Sequence, residues 1–163
     1  MKNSDVANVI AQCDAELAHI QTIIAVTGAT DLVVPYLTKY AVVRTCGCIE
    51  TSFKSVIADY CSHGSKMQVK RFIARRIREG SANPTINNMH NFLLDFDKSW
   101  QSAFKTNLGA EPNSQQLLTS LQSLVDARNE FSHGGNPTVS LADVISYYTH
   151  AKRIIEIMDD VVV

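Results

Sequence analysis

Apolar residues in this chain recur three and four positions apart over long stretches, separated by short breaks built from Gly, Pro and Asn. That pattern predicts amphipathic helices and leaves little room for strands. The first helix is expected from about Asp5 to Val26, with Val6, Ile10, Cys13, Leu17, Ile20 and Ile24 on one side and Thr27-Gly28 as its stop. A second runs from near Asp31 to about Cys61, with Pro35 accommodated in its first turn and His63-Gly64-Ser65 ending it. Lys66 to Glu79 predicts a shorter third helix closed by Gly80, followed by a loop at Ser81-Ala82-Asn83-Pro84. The fourth helical region spans about Thr85 to Phe104 and aligns Met89, Phe92, Leu93, Phe96 and Trp100. Asn113-Ser114-Gln115-Gln116 reads as a capping box for the fifth helix, and Ser140-Leu141-Ala142-Asp143 as one for the sixth.

Short connections between such helices favour antiparallel neighbours, so the expected fold is an all-α antiparallel bundle of about five to six helices forming one domain over residues 1–163. The last helix carries Val144, Tyr147, Tyr148, Ala151, Ile154, Ile155 and Met158 on a wide apolar face. Its most economical partner is the fifth helix, reached through Gly134-Gly135-Asn136-Pro137. Trp100, Tyr147 and Tyr148 sit on apolar faces and are read as core.

Composition narrows the picture. Apolar residues make up 45% and charged residues 19%, as in a globular protein. With a net charge of -1, no global field draws in nucleic acid, and any such binding must come from a local patch. Met1-Lys2-Asn3-Ser4-Asp5 does not open a signal peptide, and no run is expected to reach a membrane span, so no membrane partner and a cytoplasmic location are expected. The four cysteines suit that compartment as buried thiols. Cys46, Cys48, Cys61 and His63 could suggest zinc, but Cys46 and Cys48 lie two apart inside a helix and point different ways, so no metal or other cofactor is expected.

Two features carry candidate chemistry. Lys66, Lys70, Arg71, Arg75, Arg76 and Arg78 crowd one short helix in which only Glu79 is acidic. An ordinary solvated face mixes charges, so this imbalance points to phosphate contacts and makes these six the candidate RNA-binding residues. The second feature is Arg128-Asn129-Glu130-Phe131-Ser132-His133, followed by Gly134-Gly135. Leu117, Leu121 and Leu124 set an apolar stripe that Arg128 and Phe131 continue, so a guanidinium stands where a leucine is expected. A charge on a packing face needs a partner, a ligand or a wet interface.

On an ideal helix, five residues turn His133 about 140° from Arg128 and advance it about 7.5 Å, so the two do not share a face. A helix ending near Phe131 or Ser132 would let the chain turn His133 back. Together they would suit phosphodiester cleavage, the imidazole moving a proton and the guanidinium holding the phosphate. Asn129 could orient the imidazole or hydrogen-bond the phosphate. The plainer alternative is a histidine at a helix C-terminus, with Arg128 salt-bridged to Asp126 or Glu130. His19, His63, His90 and His150 show no spacing that suggests ligation or a triad.

An all-α chain of this size with Arg-Asn-x-x-x-His near the end of its penultimate helix resembles the HEPN superfamily, most closely its RiboL-PSP-HEPN-like branch. Ala127 to Gly135 carries the motif, and Val42 to Glu50 is similar to the segment of that branch with an acidic residue midway along an early helix. The resemblance implies a metal-independent endoribonuclease acting as a homodimer, with Arg128 and His133 of both subunits lining one cleft and Asn129 supporting them. Cleavage would proceed by 2′-hydroxyl attack and leave a 2′,3′-cyclic phosphate. Glu50 and Ser132 are implied as supporting residues. Such proteins often act as toxins beside an antitoxin or in anti-phage defence, which makes an antitoxin or other defence protein a candidate partner. A non-catalytic RNA- or nucleotide-binding module is the alternative.

Overall fold

The computed structural model describes residues 1–135 and 138–163, so Asn136 and Pro137 of the expected final connection lie outside the described residues. Among the described residues the chain is all-α, with helices α1 (Ser4–Thr27), α2 (Val34–Ser62), α3 (Met67–Ile73), α4 (Ile86–Phe96), α5 (Lys98–Ala110), α6 (Ser114–Ser132) and α7 (Leu141–Val161). A π turn, Ala74–Arg78, continues α3. The count exceeds five to six because the expected fourth helix is two. Asp97, at φ -156° and ψ 119°, leaves the helical region and caps α5 by accepting the Ser99 N–H at 2.6 Å. The apolar spacing runs through this break undisturbed, which is why the periodicity alone suggested one helix.

Helix α2 is the centre of the bundle, flanked by α1, α6, α7 and the π turn. Its first turn accommodates Pro35, where no backbone N–H is needed, and it stops at His63 before Gly64 turns the chain at φ +66°. Ala41, Val42, Ile49, Phe53, Val56 and Ile57 are buried along it. They join Val6, Leu17, Met89, Leu93, Phe104, Leu117, Leu121, Leu124, Tyr148, Ile154 and Ile155 in a continuous core. Helix α7 packs most extensively on α6, as its apolar face predicts, and next on α2. Its start is fixed by the expected capping box: Ser140 Oγ accepts the Asp143 N–H at 3.1 Å, and the Asp143 carboxylate accepts the Ser140 N–H at 2.9 Å. The other expected box is absent, because Asn113 caps α6 without a side-chain hydrogen bond.

Helix α1 corrects one expectation. Its 24 residues, with an 18-residue window of mean hydropathy 1.2, are long and apolar enough to cross a membrane by length and composition. In the bundle, Val6, Cys13, Leu17 and Ile20 are buried, and Glu16 ties the helix to α2 by accepting from Arg44 Nε at 2.8 Å and Tyr40 Oη at 2.8 Å.

Candidate active site

The end of α6 follows from its last residues. His133 is the C-cap, Gly134 takes the left-handed conformation at φ +82°, and the Gly135 N–H returns to the Glu130 carbonyl at 2.9 Å while the Gly134 N–H returns to Phe131 at 3.1 Å. This is a Schellman closure, which satisfies carbonyls the helix would otherwise leave open. Both glycines are needed. Gly134 has the positive φ, and a Cβ on Gly135 would stand 2.6 Å from Glu130 Cγ and 2.9 Å from its carbonyl oxygen.

Helix α6 therefore runs one turn beyond Arg128 and presents His133 at its very end. Leu117, Leu121 and Leu124 are buried, Arg128 is half-buried, and Phe131 and His133 are exposed, so the apolar stripe opens to the surface at the motif. Among the described residues no carboxylate pairs with Arg128. Asp126 instead accepts from Gln122 Nε2 at 2.7 Å. The guanidinium is held by neutral amides: Arg128 Nη1 donates to Asn83 Oδ1 at 2.9 Å and to Asn129 Oδ1 at 3.2 Å. The salt-bridge alternative thus does not describe this arginine. Among the described residues no hydrogen bond joins Arg128 to His133, and the His133 side chain forms none with any other.

Asn83, read from sequence only as part of a loop, is the residue that joins the elements here. Its Nδ2 reaches Asn129 Oδ1 at 3.4 Å, and its own carbonyl accepts from Asn88 Nδ2 at 2.8 Å, fixing the loop to the start of α4. One residue earlier, the Ala82 N–H donates to Glu50 Oε1 at 3.2 Å. That oxygen also accepts from Lys54 Nζ at 2.8 Å, and Lys54 Nζ donates in turn to the Gly80 carbonyl at 2.7 Å. Glu50 thus stands one remove from Arg128: with Lys54 it pins the Gly80 to Asn83 loop to α2, and the loop carries the amide that holds Arg128. Cys46 lies in the same neighbourhood. Burial pushes its thiol up to about 11, with Arg128 acting in the opposite direction and Glu50 adding to the rise.

Ser132 does not reach this group. Its Oγ donates to the Arg128 carbonyl at 2.8 Å, a bond within its own helix that gives it a local structural role. The basic segment also divides. Arg78 is a tether to α2, paired with Asp59 and donating to Ser55 Oγ at 3.2 Å. Lys66, Lys70, Arg71, Arg75 and Arg76 are exposed and, among the described residues, form no ion pairs. Cys46 and Cys48 both lie buried on α2, but Cys48 Sγ is 3.3 Å from Tyr148 Oη while Cys46 lies towards Arg128. The described residues contain no cluster of His, Cys, Asp or Glu arranged to hold a metal.

Comparison with known protein families finds a match: the RiboL-PSP-HEPN family model covers residues 8–163. The chain belongs to the RiboL-PSP-HEPN family. HEPN-type domains include ribonucleases and nucleotide-binding modules. No curated protein and no solved structure matches this chain.

Proposed function

We propose that this HEPN domain is a metal-independent endoribonuclease whose site is completed by a second copy of the chain, serving as a toxin or an anti-phage effector. The observation that carries the reading is the state of Arg128: half-buried, oriented by Asn83 and Asn129, and, among the described residues, without a carboxylate to neutralise it. A guanidinium so held offers its charge to a phosphate at a fixed position. His133 stands exposed on the same helix end, where an imidazole is accessible to substrate.

In the proposed reaction the ribose 2′-oxygen attacks the adjacent phosphorus and the bond to the 5′-oxygen breaks, leaving a 2′,3′-cyclic phosphate and a free 5′-hydroxyl. One imidazole accepts the 2′-hydroxyl proton and another gives a proton to the departing oxygen, a division of labour for which two copies of His133 suffice. Arg128 stabilises the charge that builds on the phosphoryl oxygens, and Asn129 keeps it in place. An exposed apolar patch beside the motif supports pairing of two chains. Tyr36, Tyr40, Val43 and Phe131 surround a shallow depression there, with Lys39 Nζ 5.7 Å from the Phe131 ring centre.

The test uses purified protein and a labelled RNA, alongside the same RNA carrying one 2′-deoxy residue. Cleavage is expected to persist in EDTA, to yield cyclic phosphate termini and to fail at the 2′-deoxy position. Arg128→Ala and His133→Ala should each lower the rate by about 10²- to 10³-fold or more. Undiminished cleavage by His133→Ala would show that the site is elsewhere. A second reading, a binding module without scission, draws on the exposed cations of α3 and predicts salt-sensitive RNA binding with intact product.

A further inference from the structure

The exposed side of α3 and its π turn carries more than charge. Phe72 is 62% exposed and lines a shallow groove together with Gln68, Arg71, Arg75, Arg76 and Glu79. Its neighbour Ile73 is buried and holds the helix to the bundle, as does Arg78 through Asp59 and Ser55. Phe72 is therefore not needed to attach the helix. The Glu79 N–H donates to the Ala74 carbonyl at 3.0 Å, the wider π register, so Arg78 faces α2 while Arg75 and Arg76 stay in solvent.

From this arrangement we infer that Phe72 with Arg71, Arg75 and Arg76 is a subsite for single-stranded RNA, the ring stacking on an unpaired base and the guanidiniums contacting the flanking phosphates. Charge complementarity selects a polyanion, and a lone aromatic face among cations suits an unstacked base, which a duplex does not offer. The subsite is joined to the proposed cleavage centre by the chain itself. After Arg78 the backbone enters the Gly80 to Asn83 loop, where Lys54 and Glu50 anchor it and Asn83 holds Arg128. The inference rests on the reading of the protein as RNA-directed and adds the strandedness of the substrate.

Binding is measured by fluorescence anisotropy with the His133→Ala protein, so that the RNA stays whole. The probes are a labelled 12-nucleotide single strand, its blunt duplex, and vesicles of phosphatidylserine and phosphatidylcholine. Phe72→Ala is expected to weaken single-strand binding by about 5- to 150-fold, the loss of one base stack, and to leave duplex binding unchanged. Phe72→Trp should restore affinity, with emission quenched on binding beyond any change from Trp100, the only native tryptophan. Arg75→Ala with Arg76→Ala should lower the slope of log affinity against log salt by about 1.4, as expected for two single-strand phosphate contacts. Unchanged binding by Phe72→Ala in a protein of normal melting temperature overturns the subsite, as does equal affinity for the duplex. Tighter binding to vesicles than to RNA, lost in Phe72→Ala, would make the face a membrane-contacting surface instead. A wild-type protein that binds as described but never cuts sinks the nuclease reading and leaves the subsite standing.

Discussion

Replacing Asn83 with alanine separates the positioning of Arg128 from its chemistry. The variant removes the 2.9 Å acceptor of Arg128 Nη1 and the 3.4 Å donor to Asn129, but leaves the 3.2 Å bond between Arg128 and Asn129. A hydrogen bond to a charged group contributes about 1.5–3 kcal/mol. If that interaction serves to hold the guanidinium at the reacting phosphate, its loss lowers kcat by about 10- to 100-fold, since each 1.4 kcal/mol is about tenfold. The effect on folding is smaller. Arg128 and Asn83 are only half-buried, so water replaces the lost partner, and a cost near 1 kcal/mol lowers the melting temperature by about 2–4 °C. Single-turnover cleavage of a fluorogenic RNA, set beside thermal unfolding followed by circular dichroism, reads the two quantities separately. Asn83→Asp is the companion variant: it can still accept from Arg128 but places a negative charge against the guanidinium, so the melting temperature holds while cleavage falls. Full activity in both variants would refute the role of Asn83. So would loss of activity in proportion to loss of folded protein.

Three further outcomes follow from the scaffold. Lys54→Met breaks a pair whose lysine and glutamate side chains are only 8% and 18% exposed, leaving Glu50 with the Ala82 N–H alone and the Gly80 carbonyl without Lys54. A cost of about 3–5 kcal/mol is expected, visible as a melting temperature lower by about 10 °C, and an unchanged melt would discount the anchor. Gly134→Ala should cost about 1–2 kcal/mol for its positive φ, while Gly135→Ala must displace Glu130 or the turn; both are read by chemical denaturation, with cleavage reporting any movement of His133. His90 is half-buried beside Phe104, and burial, with Lys105 adding to it, holds its pKa below the ordinary value. The unfolded chain then binds the proton more readily, so stability falls as pH drops below about 6.5, and His90→Gln should flatten that arm of the stability profile.

Much of this architecture was legible because local signals and burial agreed. Ser140 and Asp143 announced the start of α7, its apolar face selected α6 as a partner, and Gly134-Gly135 marked the end of α6. Asp97 was hidden by the register on either side of it: Leu93 and Trp100 fall on one continued stripe although the helix between them is broken. The arginine that departs from the stripe of α6 was visible as an anomaly, but its partner was not. Asn83 lies 45 residues away in a loop, and Asn-Pro in sequence signals only a turn. Separation along the chain also hid the difference between Arg78 and its neighbours, since Asp59 lies 19 residues away and a run of six cations does not show which one meets it. Ser132 looked like part of the motif and proved to bond its own helix.

The amides around Arg128 also bear on how the protein should behave in ordinary buffers. A carboxylate partner would neutralise the guanidinium; the amide oxygens of Asn83 and Asn129 fix its direction and leave its positive charge uncancelled. Inorganic phosphate and sulfate carry the same tetrahedral oxygens as an RNA linkage. On the proposed reading of the site, each should therefore compete with RNA, so that the choice of buffer anion shifts the apparent affinity.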